Sequence, residues 1–292
     1  MIPEIFALAG IPETAPEWLA SLGTDLWAPG QAVPLERWML GQQNRLLPAK
    51  VNARALIHMY LDQDKKLPLS ETAEQLARYA ARLGDFLVAQ DAERQSPRDD
   101  ALATAFPTTG EDAEKSRTRY ANQFVVYANS RGEVSGLMAD LKLINFTFHK
   151  KERYIVPTKM AWALARLENP IVDTPARESK NKFSEEERKL LVDHIVRSVP
   201  VEAFAYRSIL EAVRAGHNTP DTIDAALKAY VTADKAEKLS QSFLASQRSG
   251  AISRMSDLNL IERQREGTRV SYAVTSEGQE FLAQCPGAAK QG

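Results

Sequence analysis

The chain has 292 residues, 37 Lys and Arg against 38 Asp and Glu, and a formal net charge of −1. By the usual rule of about 150 residues per domain its length suits two domains, and 44% hydrophobic with 26% charged residues is an ordinary globular composition, which excludes a disordered polyelectrolyte. Charge breaks every apolar run short of the ~18 residues a membrane-spanning helix needs, and a near-neutral chain has no global basic field, so any nucleic-acid contact must come from local patches.

Such patches exist. Arg117 to Lys159 holds eight Lys and Arg against three acids, a net +5, whereas Leu67 to Glu114 holds four Arg against ten acids, a net −6. The amino-terminal MIPEIFALAG has no basic flank before its apolar run and does not read as a secretory signal, so a cytoplasmic protein is expected. The single cysteine, Cys285, can form no internal disulfide and receives no role.

In the first fifty residues Pro3, Gly10, Pro12, Pro16, Gly23, Pro29, Gly30, Pro34, Gly41 and Pro48 cut the apolar pattern into short pieces. This reads as an arm whose Trp18, Trp27 and Trp38 anchor it to something else. Helical periodicity then runs from Ala49 to Asp62 and from Ser70 to Ala89, two amphipathic helices. Residues 91–113 are acidic and turn-rich and read as a loop with one helical turn, and 169–183, with two prolines and mixed charge, as a linker. Ser184 with Glu187 forms a capping box that starts a helix ending before Pro200, and Thr219-Pro220-Asp221 starts another.

A repeat emerges at an offset of 117 residues. It joins Ala128 to Ala245, Arg131 to Arg248, Met138 to Met255, Asp140 to Asp257, Leu141 to Leu258, Leu143 to Leu260, Ile144 to Ile261 and Thr158 to Thr275. In the second copy Ile252, Met255 and Leu258 have helical spacing and Asn259 ends the helix in the left-handed region. A strand from Leu260 through Arg263 turns at Gly267 and returns as Arg269 to Val274, and Thr275 caps a short helix carrying Phe281 and Leu282. The first copy has Lys142 in place of that Asn, and Pro157 in its returning strand, which confines that strand to an edge or an end.

Helix, tight exit, hairpin and capped helix in this order resemble the winged-helix superfamily. MSDLNLIER and YAVTSEGQEFL are similar to the corresponding stretches of MarR-type and related bacterial regulators, which usually have Gly where this chain has Asn259. The resemblance implies a mainly helical fold of two winged helix-turn-helix domains, each with a small β-hairpin wing, behind a helical amino-terminal extension. The extension is expected over 1–113, the first module over 114–168, the linker over 169–183, the second domain over 184–285 and a tail over 286–292.

The resemblance further implies double-stranded DNA as partner, read by the helix before each hairpin and by the wing beside it. In the second copy the implied contacts are Gln247, Arg248, Ser249, Ser253 and Arg254 on the helix and Arg263, Arg265 and Arg269 on the wing. In the first they are Asn129, Arg131 and Ser135 on the helix, with His149, Lys150, Lys151 and Arg153 on the wing. Arg can read guanine and Asn or Gln adenine, whereas Lys and Ser more often hold phosphate. A regulator, or the DNA-engaging subunit of a bacterial defence or chromosome-maintenance system, is expected. The alternative is a scaffold subunit, or a homodimer, whose winged helices bind protein.

Nothing points to catalysis or to a cofactor. The chain has no GxxxxGK[ST], GxGxxG or HExxH and no nucleophile elbow. Of its four histidines, His58 and His194 read as packing residues, with His149 on a hairpin and His217 in a turn. Asp173 followed by Glu178 and Lys180 has a nuclease-like look, but these sit too close together in a polar stretch to be a metal site.

Overall fold

The computed structural model describes every residue except 1, 24, 63–66, 97–100, 111, 151, 174–180, 233–239 and 286–292. The described chain is mainly helical, with three small antiparallel two-stranded sheets, and no helix among these residues is long and apolar enough to cross a membrane. It forms two compact units that the chain visits alternately: 1–23 with 46–187, and 24–45 with 188–292. The domain boundaries expected from the sequence change accordingly. Residues 46–113 share a unit with 114–187, and the arm is divided between the two units.

The first unit contains α1 (Leu47–Asp62), α2 (Leu69–Arg94), and α3 (Ala113–Tyr120), which continues through a π turn, Ala121–Val125. A hairpin of β1 (Tyr127–Ala128) and β2 (Val134–Ser135) follows, then α4 (Leu137–Asp140), a second hairpin of β3 (Ile144–His149) and β4 (Glu152–Pro157), and α5 (Lys159–Arg166). Although α1 reads as an ordinary amphipathic helix, it is enclosed almost all round, with Lys50, Asn52 and Arg54 buried among its apolar residues.

A buried charge is tolerated only when paired and fully hydrogen-bonded. Arg54 meets that condition. Its guanidinium grips both carboxylate oxygens of Asp173 and also donates to the carbonyls of Phe6, Ala165 and Leu167. Lys50 Nζ lies 2.9 Å from Glu187 Oε1 and donates to the carbonyls of Leu164 and Leu167. Glu187 in turn accepts from Asn169 Nδ2 and from the Ser184 amide, completing the capping box. Asn169, Ile171, Val172 and Phe183 are buried, so both ends of the expected linker belong to the packed structure; Glu178 and Lys180 lie outside the described residues, as does the tail 286–292. Asp173 is thus occupied as the partner of Arg54.

α6 (Glu185–Ser198) begins where the units change over, and the second unit continues with α7 (Pro200–Arg214), α8 (Pro220–Leu227) and α9 (Gln241–Asp257). The hairpin of β5 (Ile261–Glu266) and β6 (Arg269–Val274) and the helix α10 (Ser276–Gln284) complete it. The aromatic arm anchors here and in the first unit. Trp38 packs against Phe204 and Tyr230 with its indole N–H on the Val33 carbonyl, and Trp18 stacks on Tyr60 with ring centroids 4.5 Å apart.

The sequence repeat is a repeat of hydrogen bonds. Leu143 N donates to Met138 O at 2.8 Å and Leu260 N to Met255 O at 2.9 Å; Thr158 N donates to Leu143 O and Thr275 N to Leu260 O. Thr158 and Thr275 cap their helices by accepting from Ala161 N and Gly278 N. Lys142 and Asn259 both take positive φ, 53° and 59°, the left-handed exit the helix end requires. Both hairpins pair in the same register, Ile144 with Pro157 and Ile261 with Val274. Pro157 is the last residue of its strand, where the missing N–H costs no ladder bond.

The correspondence reaches further back than the sequence identities. Ile155 N donates to Leu67 O and Tyr272 N to Asn218 O, each at 2.8 Å. Leu67 lies between α1 and α2, and Asn218 between α7 and α8. The intervals 67 to 155 and 218 to 272 differ by 34 residues, taken up by the longer α2 and by α3 with its π turn. Each unit thus holds helix, short extended segment, helix, hairpin and capped helix. In contrast, Ala128 and Arg131 do not correspond in structure to Ala245 and Arg248, because residues 127–135 form a hairpin where the second unit has the helix α9.

Candidate nucleic-acid interface

In the second unit α9 starts at Ser240, whose hydroxyl accepts from Phe243 N, and buries Leu244, Ala251, Ile252 and Met255 in the core. A second face of α9 is covered by the arm. A Cβ on Gly250 would sit 2.4 Å from the Gly41 carbonyl oxygen, and one on Gly41 would sit 2.2 Å from the Ser246 carbonyl oxygen. Gln247 Oε1 accepts from the Gly41 amide at 2.6 Å.

Arg254 is buried, at 1% exposure. Its guanidinium forks onto the Glu202 carboxylate at 2.6 and 3.1 Å and donates to the Gln43 carbonyl at 2.7 Å. Arg254 and Gln247 are therefore interior groups, a correction to their sequence-based placement on an open helix face. Arg248 pairs with Asp224 of α8 at 2.8 Å, where both side chains are largely enclosed. Of the other helix positions expected to face DNA, Ser249 is exposed and Ser253 half-buried; Gln241, Ser242 and Ser256 of α9 are exposed as well. The reason is tertiary: positions off the core face of a helix meet solvent only if no distant segment covers them.

On the β5–β6 hairpin Arg263, Arg265 and Arg269 are exposed. Their directions differ, because residues directly opposite in an antiparallel pair share a face and neighbours along a strand alternate. Arg263 opposite Tyr272 and Arg265 opposite Val270 occupy one face, whereas Arg269 opposite Glu266 occupies the other.

In the first unit Asn129 and Arg131 are not helical. They lie in the β1–β2 turn, where Asn129 Oδ1 accepts from the amides of Arg131 and Glu133 and its Nδ2 donates to the Glu133 carboxylate. Ser135 is in β2. Asn and Gly favour this turn because each stabilises or tolerates local backbone that a helix would forbid; Gly132 has φ 84°. On the β3–β4 hairpin Lys150 is exposed at the turn with φ 48°, beside exposed His149, and Lys151 lies outside the described residues. Arg153 is half-buried. Its guanidinium lies over the rings of Phe146 and Phe148, 5.8 and 5.2 Å from their centroids, and donates to the Gly132 carbonyl at 3.3 Å.

Phe148 was not singled out in the sequence, although it is 68% exposed. The signal was the alternation Phe146, Phe148 running directly into His149 and Lys150. Tyr154, on the opposite face, gives its hydroxyl to Glu152; this bond, with burial and the carboxylates of Glu152 and Glu71, raises the phenol above its ordinary value. No group of three or more His, Cys, Asp or Glu suited to holding a metal ion occurs among the described residues. Comparison of the chain with protein-family models, with curated proteins and with solved structures gives no match.

Proposed function

We propose that the chain binds double-stranded DNA through two winged-helix units, with the hairpin wings making the main contacts. The observation that carries this reading is that both hairpins expose cations: Lys150 beside His149 on the first, Arg263, Arg265 and Arg269 on the second. Such residues bind phosphate irrespective of sequence. Among the expected helix contacts Ser249 and Ser253 are able to add to these, and Arg248 can do so only by leaving Asp224. The residues of α9 expected to read bases are buried or paired, Gln247 and Arg254 in the interior and Arg248 on Asp224, which argues for binding with little base discrimination, closer to a DNA-engaging subunit than to an operator-reading regulator.

Anisotropy titrations of a labelled duplex with the full chain test this. Replacing Arg263, Arg265 and Arg269 together by Ala weakens binding at least about tenfold at low salt by the usual worth of several phosphate contacts, while Ser249→Ala has a small effect. Unchanged affinity in the triple variant would remove the wing contact.

The scaffold reading has one observation in its favour. The arm residues around Gly41 occupy a face of α9, so this helix already serves as a docking surface for protein. A parent chain without measurable duplex affinity would leave that reading in place.

A further inference from the structure

We propose that Phe148, on the β3–β4 hairpin of the first unit, is a stacking platform for an unpaired nucleobase, with the adjoining cations holding the flanking phosphates of a single strand. Lys150 beside it also serves the duplex reading, but the Phe148 ring has no part in that reading and this proposal does not rest on it.

Phe148 presents a large apolar ring to water, 68% exposed, near the tip of a charged hairpin. A lone exposed aromatic needs no explanation by itself. This one is held in place. Its cross-strand partner is Arg153, whose guanidinium lies 5.2 Å from the ring centroid and is tied to the neighbouring hairpin through the Gly132 carbonyl. The Nη1 atom of Arg153 is enclosed without a hydrogen-bond partner, so the aromatic rings are its principal neighbours and the charge is spent on fixing them. Cation–π contact of this kind restrains the ring and adds positive potential to its surroundings. An aromatic side chain so restrained has little rotamer entropy left to lose when a base lies on it.

The register specifies what surrounds the ring. Ile144, Phe146, Phe148, Arg153, Ile155 and Pro157 share one face of the hairpin, and none is acidic. Glu152, opposite His149, is on the other face, where it takes the Tyr154 hydroxyl. Glu133, on the adjoining hairpin, is engaged by Asn129. Two exposed cations adjoin among the described residues: Lys150 two residues on, and Arg131, next to the Gly132 that receives Arg153. One ring among cations matches a base with its phosphates. It is too small an apolar area for a protein or a lipid surface. A paired base has both faces covered by its stacked neighbours, so the ligand is a single strand.

The test is a titration of the full chain with two probes in parallel: a short labelled oligothymidylate, and a closed dumbbell duplex that has neither a free strand nor an open end. The parent binds the oligothymidylate. Phe148→Ala weakens this by roughly fivefold or more, the usual worth of a stacked base, and leaves dumbbell affinity unchanged. Phe148→Trp keeps the affinity and shows quenching of the added tryptophan's emission on binding. Because the ring is exposed, neither variant removes core packing, and circular dichroism verifies that the fold is retained. Three results overturn the proposal: no binding of oligothymidylate by the parent, equal affinity for Phe148→Ala, or equal weakening of both probes. If the dumbbell fails to bind while oligothymidylate binding depends on Phe148, the duplex reading falls and this one stands.

Discussion

Two arginines show how little residue type says about role. Arg254 and Arg263 lie nine positions apart, yet one is enclosed on Glu202 and the other is exposed on a strand. Removing one partner of a buried ion pair strands the other charge, at a cost of about 3–5 kcal/mol. Glu202→Ala therefore lowers the denaturant midpoint of the second unit by a corresponding amount, whereas Arg263→Ala leaves it nearly unchanged; equal midpoints would place Arg254 in solvent. Lys50 gives a pH dependence. Burial, opposed by the Glu187 carboxylate, lowers its pKa from 10.5 to about 8. Between these values the unfolded chain carries a proton that the native chain has lost, so this group's contribution to stability rises with pH across that window. The unfolding free energy of the parent minus that of Lys50→Met increases from about pH 8 toward 10.5, and a flat or falling difference would contradict the buried charge.

Among the elements, those governed by local rules were legible in advance. The Thr275 cap, the left-handed exit at Asn259, the Thr219-Pro220 start of α8 and the placement of Pro157 at a strand end all depend on residues within a few positions. What was not legible depends on distant chain. Identity at Arg131 and Arg248 suggested equivalent helices, but an Asn129 turn and Gly132 make a hairpin of the first, and no sequence period distinguishes an open helix face from one that an arm covers. Likewise α1 has cations and no acid between Leu47 and Leu61, a hint of buried pairing that only the contacts with Asp173 and Glu187 explain. The arm's grip on α9 makes its own prediction. With 2.4 Å available at Gly250 and backbone on the far side, Gly250→Ala must push residues 40–42 away, costing about 1–3 kcal/mol as overpacking does and making the arm of the second unit more susceptible to limited proteolysis. Unaltered stability and cleavage would mean the two backbones are not in contact.

For the molecule as a whole, the proposed DNA binding by a near-neutral chain with segregated patches is expected to be modest and strongly salt-dependent, without long-range steering. Each unit carries one of the two matching hairpins, and the chain's alternation between units, with 24–45 belonging to the second, makes the arm part of that unit's fold instead of a detachable extension. The most direct test of duplex binding is the slope of log affinity against log salt for a random-sequence duplex, measured for the parent and for the chain with Arg263 and Arg265 replaced by Ala. Linear weakening with salt is expected, with the slope reduced in magnitude by about 1 for each wing cation that contacts phosphate. Absence of binding, or a slope the substitutions leave unchanged, would contradict DNA contact through this wing.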